Sequence, residues 1–409
     1  MSAALSLILI VAAAYLAAHL VFEWVAERYH IVSGAEYLIL GVLLGPQVSG
    51  FMSADVVASF APFMTLALGW TGAAHGMNFY LPRLMRVPGL TYSVAILEAV
   101  ITFCFVSAVM LVGFAWAFDM SYDGVILPAL SLGAIATAAA SSGVAFVSQS
   151  TPHPVVQQLE TTALVDGAFA IIAFGILLCV VHIDVSIGTR NLTPTEWAVI
   201  TFGIGVIGGT MFHLFLGPER NPDRLFIALA GAIILASGAA SFLRLSPLLP
   251  AMLIGAILIN TSSNRDELQR LMRTVEKPLY FVLLVFAGAS WRPSRYNWIL
   301  PVVLFVVVRM AAKLGSARLA TRLLGRDELR GTNWGRGLFG QGTLALAIGL
   351  SYSLNDMTLV PNVVFTAAII SVLVTDIFAV RAVVAILDEP ARALFHTRAR
   401  REPPMSRTD

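Results

Sequence analysis

Charge is scarce in this sequence. Of its 409 residues only 12% are Asp, Glu, Lys or Arg, roughly half of the ~25% that soluble globular chains carry. A soluble globule needs charge to cover its surface. The composition therefore excludes a soluble enzyme, a nucleic-acid binder and a disordered chain. Cysteine is scarcer: Cys104 and Cys179 are the only two, and each lies inside an apolar segment. That excludes a disulfide framework and a thiolate metal cluster. Lysine is confined to Lys277 and Lys313 among 26 basic residues. No basic region precedes the first apolar run, so a cleavable signal peptide is not expected. What is abundant is apolar: 58% of the chain is hydrophobic. A membrane-spanning helix takes ~20 such residues, so the expected class is an all-α polytopic membrane protein.

Apolar runs bounded by Gly, Pro or charge give thirteen candidate spans, over about residues 5–25, 33–48, 58–77, 92–118, 125–147, 158–181, 197–216, 225–243, 247–259, 278–290, 298–324, 335–354 and 363–387. The ninth and tenth are short, suggesting tilted, broken or re-entrant segments. Cytoplasmic loops are enriched in Lys and Arg. Alternate connections hold Arg28; Arg83 and Arg86; Arg220 and Arg224; Arg265, Arg270, Arg273 and Lys277; and Arg326, Arg330 and Arg336. The opposite side holds Arg190, Arg244, Arg292 and Arg295, with Asp119 and Asp123 between spans four and five. This asymmetry predicts an N-terminus outside and a cytoplasmic C-terminus, in a bacterial inner membrane. Residues 388–409 read as a short basic tail, with 1–387 forming the transmembrane domain.

Ionisable groups at membrane depth are costly, by about 2.5–3.5 kcal/mol each on insertion scales, and by default mark function. Asp166 stands out, well inside the sixth span. Burial favours its protonated form and a nearby cation favours the carboxylate, so such a group can hold a proton or a metal cation in competition. Arg309 and Lys313 lie four residues apart on one helix face. Lysine can release its proton when desolvated, whereas arginine keeps its own. Glu160 lies ~120° around the helix from Asp166. It reads equally as a residue of the cytoplasmic mouth or as helix-end electrostatics. Glu98 and Asp376 are secondary candidates, the latter with Arg381 as a structural partner. Two segments suit either close helix packing or an unwound mid-membrane backbone. One runs through Thr137, Ser141 and Ser142, the other through Gly340-Gln341-Gly342-Thr343. They fall in spans five and twelve, and the next span in each case carries an acid. An offset of seven spans inverts the second copy, so the chain reads as two inverted six-helix repeats around a linker helix.

In this order the motifs resemble the monovalent cation:proton antiporter superfamily, in its Kef-type and sodium/proton exchanger branch. Tyr37-Leu38-Ile39-Leu40-Gly41-Val42-Leu43-Leu44-Gly45-Pro46 is similar to the family's second-helix stretch, and Pro278 to Gly288 to its "PLFFV…G" segment. Lys313-Leu314-Gly315 resembles its lysine-bearing helix, and Gly340-Gln341-Gly342-Thr343 its broken-helix region. The resemblance implies crossed broken helices within a core of helices at about 92–181 and 298–387. It also implies dimerisation helices at about 5–77 and 225–290, a homodimer, and an elevator-like movement of the core. It matches Asp166 to the ion-binding aspartate and Lys313, or Arg309, to the basic residue opposite. Thr137, Ser141 and Ser142 are implied oxygen ligands.

Val165 departs from the pattern, since the family usually has Asp, Asn or Gln just before its key aspartate. Three readings follow: Lys313 pairs with Asp166 directly, Glu160 substitutes for the missing acid, or strict coupling is lost. One carboxylate at the site implies electroneutral exchange of Na⁺ or K⁺ for a proton, with no cofactor and no nucleic-acid partner. Two other functions compete: an organic-anion carrier of related fold, and a non-transporting membrane sensor or assembly partner. No nucleophile–base pair or phosphate loop suggests an enzyme.

Overall fold

The computed structural model describes residues 35–119, 121–140, 154–181, 192–216, 221–262, 265–292, 298–326, 331–355 and 362–375, with single positions 329, 379, 382 and 386. The first expected span, Ser141, Ser142, Asp376 and the tail lie outside the described residues.

Among the described residues all regular structure is helical. Twelve helices build the framework: α1 (Ala35–Leu44), α2 (Ala61–Gly76), α3 (Gly89–Phe118), α4 (Tyr122–Thr137), α5 (Pro154–Val180), α6 (Pro194–Leu216), α7 (Pro222–Phe242), α8 (Leu248–Thr261), α9 (Arg265–Ser290), α10 (Ile299–Leu323), α11 (Gly342–Asn355) and α12 (Asn362–Thr375). Five of them, α3, α5, α6, α7 and α10, are long and apolar enough to cross a membrane; α8, α12 and the last fourteen residues of α4 are shorter apolar helices. Large apolar side chains point outward along α6 (Val199, Ile207, Leu214), α7 (Ile227, Leu235, Phe242) and α10 (Leu300, Val303, Val307). A subset of charged and hydroxyl groups, among them Glu98, Thr102, Asp166, Arg309, Lys313 and Ser316, is instead buried. Apolar outside and polar inside is the arrangement a lipid solvent selects.

The structure corrects the sequence reading at one span. The tenth span does not start at Pro278. A single helix runs from Arg265 through Pro278 to Ser290, so Arg265, Arg270, Arg273 and Lys277 ride on a helix rather than a loop. Asp266 and Glu267 sit in its first turn, where carboxylates oppose the helix dipole favourably. Arg265 also stacks on the Tyr80 ring, 4.8 Å from its centroid. An apolar-run criterion cannot see this amphipathic first half. The fifth span, read over 125–147 with a stretch suited to an unwound backbone, leaves the helix after Thr137, and 141–147 lie outside the described residues.

Packing sorts the helices. α3 packs on α4, α5 and α10, and α4 also packs on α11; α2 packs on α7 and α8, α6 on α7 and α8, and α1 on α9. Several of these contacts are backbone-close. A Cβ on Gly76 of α2 would lie 2.0 Å from the Met252 carbonyl oxygen of α8, and one on Gly255 would lie 2.1 Å from that of Ala73. Neither neighbour can yield, because both atoms are helix backbone. Gly76→Val is expected to lower the thermal midpoint in detergent, by an overpacking cost of about 1–3 kcal/mol. An unchanged midpoint would show that the two helices separate freely.

Candidate ion site at the helix crossing

Ala138-Ala139-Ala140 follows α4. Alanine is the best helix former, yet the backbone leaves the helix at Ala138 with φ −55 and ψ 123. The break is imposed by tertiary structure. A second break faces it. The 3₁₀ turn Trp334–Leu338 ends, the chain has no regular structure at Gly340 and Gln341, and α11 begins at Gly342 with φ +63. The two unwound segments meet and bond. The Ala140 N–H donates to the Gly340 carbonyl (2.8 Å), and Gln341 Nε2 donates to the Ile135 carbonyl (3.0 Å). A Cβ on Gly342 would sit 2.9 Å from that of Ala140, so small residues set how closely the segments approach.

A helix that ends inside a membrane leaves carbonyls in need of donors, and its C-terminus carries partial negative charge. Two cations from α10 meet that need. Lys313 Nζ donates to the Thr137 carbonyl at 3.0 Å. Arg309 donates to the Ala138 carbonyl at 3.2 Å and, across the crossing, to Phe339 at 2.7 Å and Leu338 at 3.4 Å. Both side chains are fully buried. Arg309 thus spans the ends of both broken helices, a reach that suits its planar fork and not a point charge. Arg309→Lys is expected to lower stability by about 1.5–3 kcal/mol, the worth of hydrogen bonds to a charged group, read as a fall in the thermal midpoint.

Lys313 has three donors, and its other two acceptors are carboxylates. Asp166 Oδ2 of α5 lies 2.7 Å away and Glu98 Oε2 of α3 lies 3.2 Å away, all three groups being fully buried. Thr102 and Ser316 donate to Glu98 Oε1 at 2.8 and 2.7 Å. Asp166 Oδ1 is buried and, among the described residues, has no hydrogen-bond partner. With both carboxylates and the ammonium ionised, the cluster carries one net negative charge. One monovalent positive charge, proton or cation, balances it.

The structure thus places Asp166, Lys313 and the Thr137 carbonyl together. The Thr137 hydroxyl donates to Ala134 in its own helix, at 2.7 Å. Arg309 faces helix ends rather than Asp166. Glu160 is half-buried on another face of α5, and the acid that meets Lys313 is Glu98. Val165 is half-buried beside the fully buried Asp166. Thr343 is half-buried in the first turn of α11. Sequence reasoning ranks Glu98 too low and misses Thr102 and Ser316. Polar spacings inside apolar helices carry the signal: Glu98 and Thr102 are separated by four residues, Lys313 and Ser316 by three. His75, isolated in the sequence, is not isolated in the fold. Its Nε2 lies 3.2 Å from the Leu164 carbonyl, and its ring fills a notch at Gly167, where a Cβ would come within 2.3 Å of Cε1. It therefore joins α2 to the turn of α5 that bears Asp166.

Two unwound segments bonded to each other beside a buried acid–base cluster form the centre of this all-helical membrane fold. The profile of the family described as "Sodium/hydrogen exchanger, transmembrane" matches residues 16–388. The chain belongs to that family, within the cation:proton antiporter superfamily. Solved structures of the sodium proton antiporter MjNhaP1 from Methanocaldococcus jannaschii share its fold. The structure determined at pH 8 matches with a TM-score of 0.66 at 15% identity, covering 93% of this chain and 99% of that one. Another structure of that antiporter, from an electron-microscopy map, matches with a TM-score of 0.69 at 14% identity, covering 95% and 99%. No curated protein sequence matches significantly.

Proposed function

We propose that this integral membrane protein exchanges Na⁺, or another monovalent cation such as K⁺, for protons by alternating access, with Asp166 binding either in turn. Family membership supports cation:proton exchange as the activity. The observation that carries the site assignment is the buried Oδ1 of Asp166, without a hydrogen-bond partner among the described residues, in a cluster one positive charge short of neutrality when its carboxylates and ammonium are ionised. Lys313 donates to three acceptors and is not one of the exchanged groups in this reading. One cation then replaces one proton and no net charge moves. The cluster holds two carboxylates rather than the one expected from sequence, so electroneutral exchange rests instead on the lysine staying paired with Glu98 while Asp166 changes partner.

The moving body in this reading comprises α3, α4, α5, α10, the 3₁₀ turn, α11 and α12. It moves against α1, α2 and α6–α9, which also form the homodimer. His75 lies on the sliding surface. The protein resides in a bacterial inner membrane with its N-terminus outside.

Dye dequenching in inverted vesicles tests the activity: adding Na⁺, K⁺ or Li⁺ should collapse an imposed proton gradient. Absence of a response to every cation, at neutral and alkaline pH, rejects the antiporter reading. Substrate-driven currents on a solid-supported membrane reject electroneutrality while leaving exchange intact.

A further inference from the structure

A cavity of about 370 Å³ lies between α11 and the group formed by α2, α7 and α8, on the membrane face where α2 begins and α7 and α11 end. Its polar lining comes from Thr65 of α2, Ser241 and Arg244 at the end of α7, and Ser351 and Asn355 of α11. Leucines and one proline complete it, and none of its lining residues is a carboxylate. The Ser351 hydroxyl donates to that of Ser246 at 3.2 Å, so α11 touches the α7–α8 connection at the same place.

Arg244 is the unusual member. α7 ends in a cap in which the Arg244 N–H donates to the Ser241 carbonyl (2.9 Å) and the Leu245 N–H to the Ala240 carbonyl (2.8 Å). Such a cap puts one residue in the left-handed region, where glycine is the usual occupant because it has no Cβ to clash. Here that residue is arginine, at φ +55. A cation gains from the helix dipole near a C-terminus, but a basic residue in the last turn gains as much on an unstrained backbone. The loops on this face are also the arginine-poor ones, so Arg244 is not explained by orientation in the membrane. The residue is exposed, and its guanidinium has no hydrogen-bond or ion-pair partner among the described residues.

Two further donors are available beside it. The Ser241 hydroxyl is unengaged among the described residues. Asn355 Nδ2 uses one of its two hydrogens on the Ser351 carbonyl, at 2.8 Å, and retains the other. A guanidinium fork, a hydroxyl and an amide hydrogen around one opening form a donor set suited to phosphate oxygens. A free cation entering here would meet a fixed positive charge and no counter-charge.

We propose that this cavity binds a phosphate group, held by Arg244 with Ser241 and Asn355 as further donors. A phospholipid head seated at the seam and inorganic phosphate from solution present the same oxygens. A group bound there touches α7 and α11 together. Under the exchange scheme above these helices belong to the two bodies that slide, so occupancy favours the register described here. That consequence rests on the exchange reading; the binding does not.

The test is binding to the full chain in detergent, read as the thermal midpoint, because a ligand that binds only the folded state raises it by mass action. The probes are inorganic phosphate and dihexanoyl phosphatidic acid, each titrated at an ionic strength held constant with chloride. Dihexanoylglycerol controls for the acyl chains. Phosphate also stabilises proteins by exclusion from their surface, so the expected rise is one that saturates and depends on Arg244. A saturating rise with inorganic phosphate identifies the solution ion, and one with phosphatidic acid alone identifies a lipid head; both support the site. Arg244→Gly is expected to weaken the apparent affinity about tenfold or more, as loss of charge-assisted hydrogen bonds implies. Its midpoint without ligand should equal or exceed the parent's, because glycine suits the left-handed position. Asn355→Leu should weaken binding from the α11 side, and unchanged affinity there overturns the bridge between the two bodies. No saturating rise with either phosphate probe overturns the site, as does an equal rise in Arg244→Gly or with dihexanoylglycerol. If Arg244→Gly does not fold, Arg244→Gln takes its place under the same criteria. The readout is binding, so a chain that exchanges no cation still decides the proposal, and failed exchange rejects the function alone.

Discussion

Asp166→Asn in reconstituted vesicles is expected to abolish cation-dependent proton movement while the protein remains folded and monodisperse. The amide is nearly isosteric and still accepts from Lys313 Nζ, 2.7 Å from Oδ2 in the parent. It can neither release a proton nor carry charge. The substitution removes the one group whose free oxygen, Oδ1, is buried without a partner among the described residues. It also makes the cluster neutral, so the drive to recruit a cation is gone. The fold should not suffer, because one buried charge has been removed from a cluster with an excess of it. Stability equal to or above the parent, together with lost exchange, is the expected pair of results. Retained exchange would remove Asp166 from the mechanism.

Lys313→Met is expected to be the most destabilising single change in the protein. It leaves Glu98 and Asp166 together in a fully buried site without the cation that bonds both. Breaking a buried pair in this way costs about 3–5 kcal/mol. The partner is then identified by rescue. Lys313→Met with Glu98→Gln removes one of the two stranded carboxylates and should recover part of the lost stability, with a coupling of about 0.5–3 kcal/mol. Glu160→Gln in the same background should recover nothing, since Glu160 sits on another face of α5. Thermal midpoints in detergent decide between them. Rescue by Glu160→Gln and not by Glu98→Gln would overturn the assignment of Glu98.

Much of this site is legible in the amino-acid sequence. In a chain poor in charge, Asp166, Arg309 and Lys313 stand out because burying them without purpose is costly. The small-residue stretches at 130–143 and 335–343 point to broken helices. Glu98 is harder to place. It lies 68 residues from Asp166 and 215 from Lys313, and only the packing of α3 against both α5 and α10 joins them. Helical periodicity reports which residues share a face, but not which helix that face meets. The same gap explains α9. Its polar first half belongs to a helix through backbone hydrogen bonds, and an apolar-run criterion cannot register those.

Arg309 has a consequence for energetics across the membrane. Its guanidinium rivets the end of α4 to the end of the 3₁₀ turn through three carbonyls. Under the alternating-access scheme proposed above, the two half-helices travel as one piece, and the cation's ligands keep their mutual geometry throughout the stroke. The intrinsic affinity of the site is then a single constant, the same toward either compartment. Any directional bias of the exchanger must be written into its vestibules and not into its binding site.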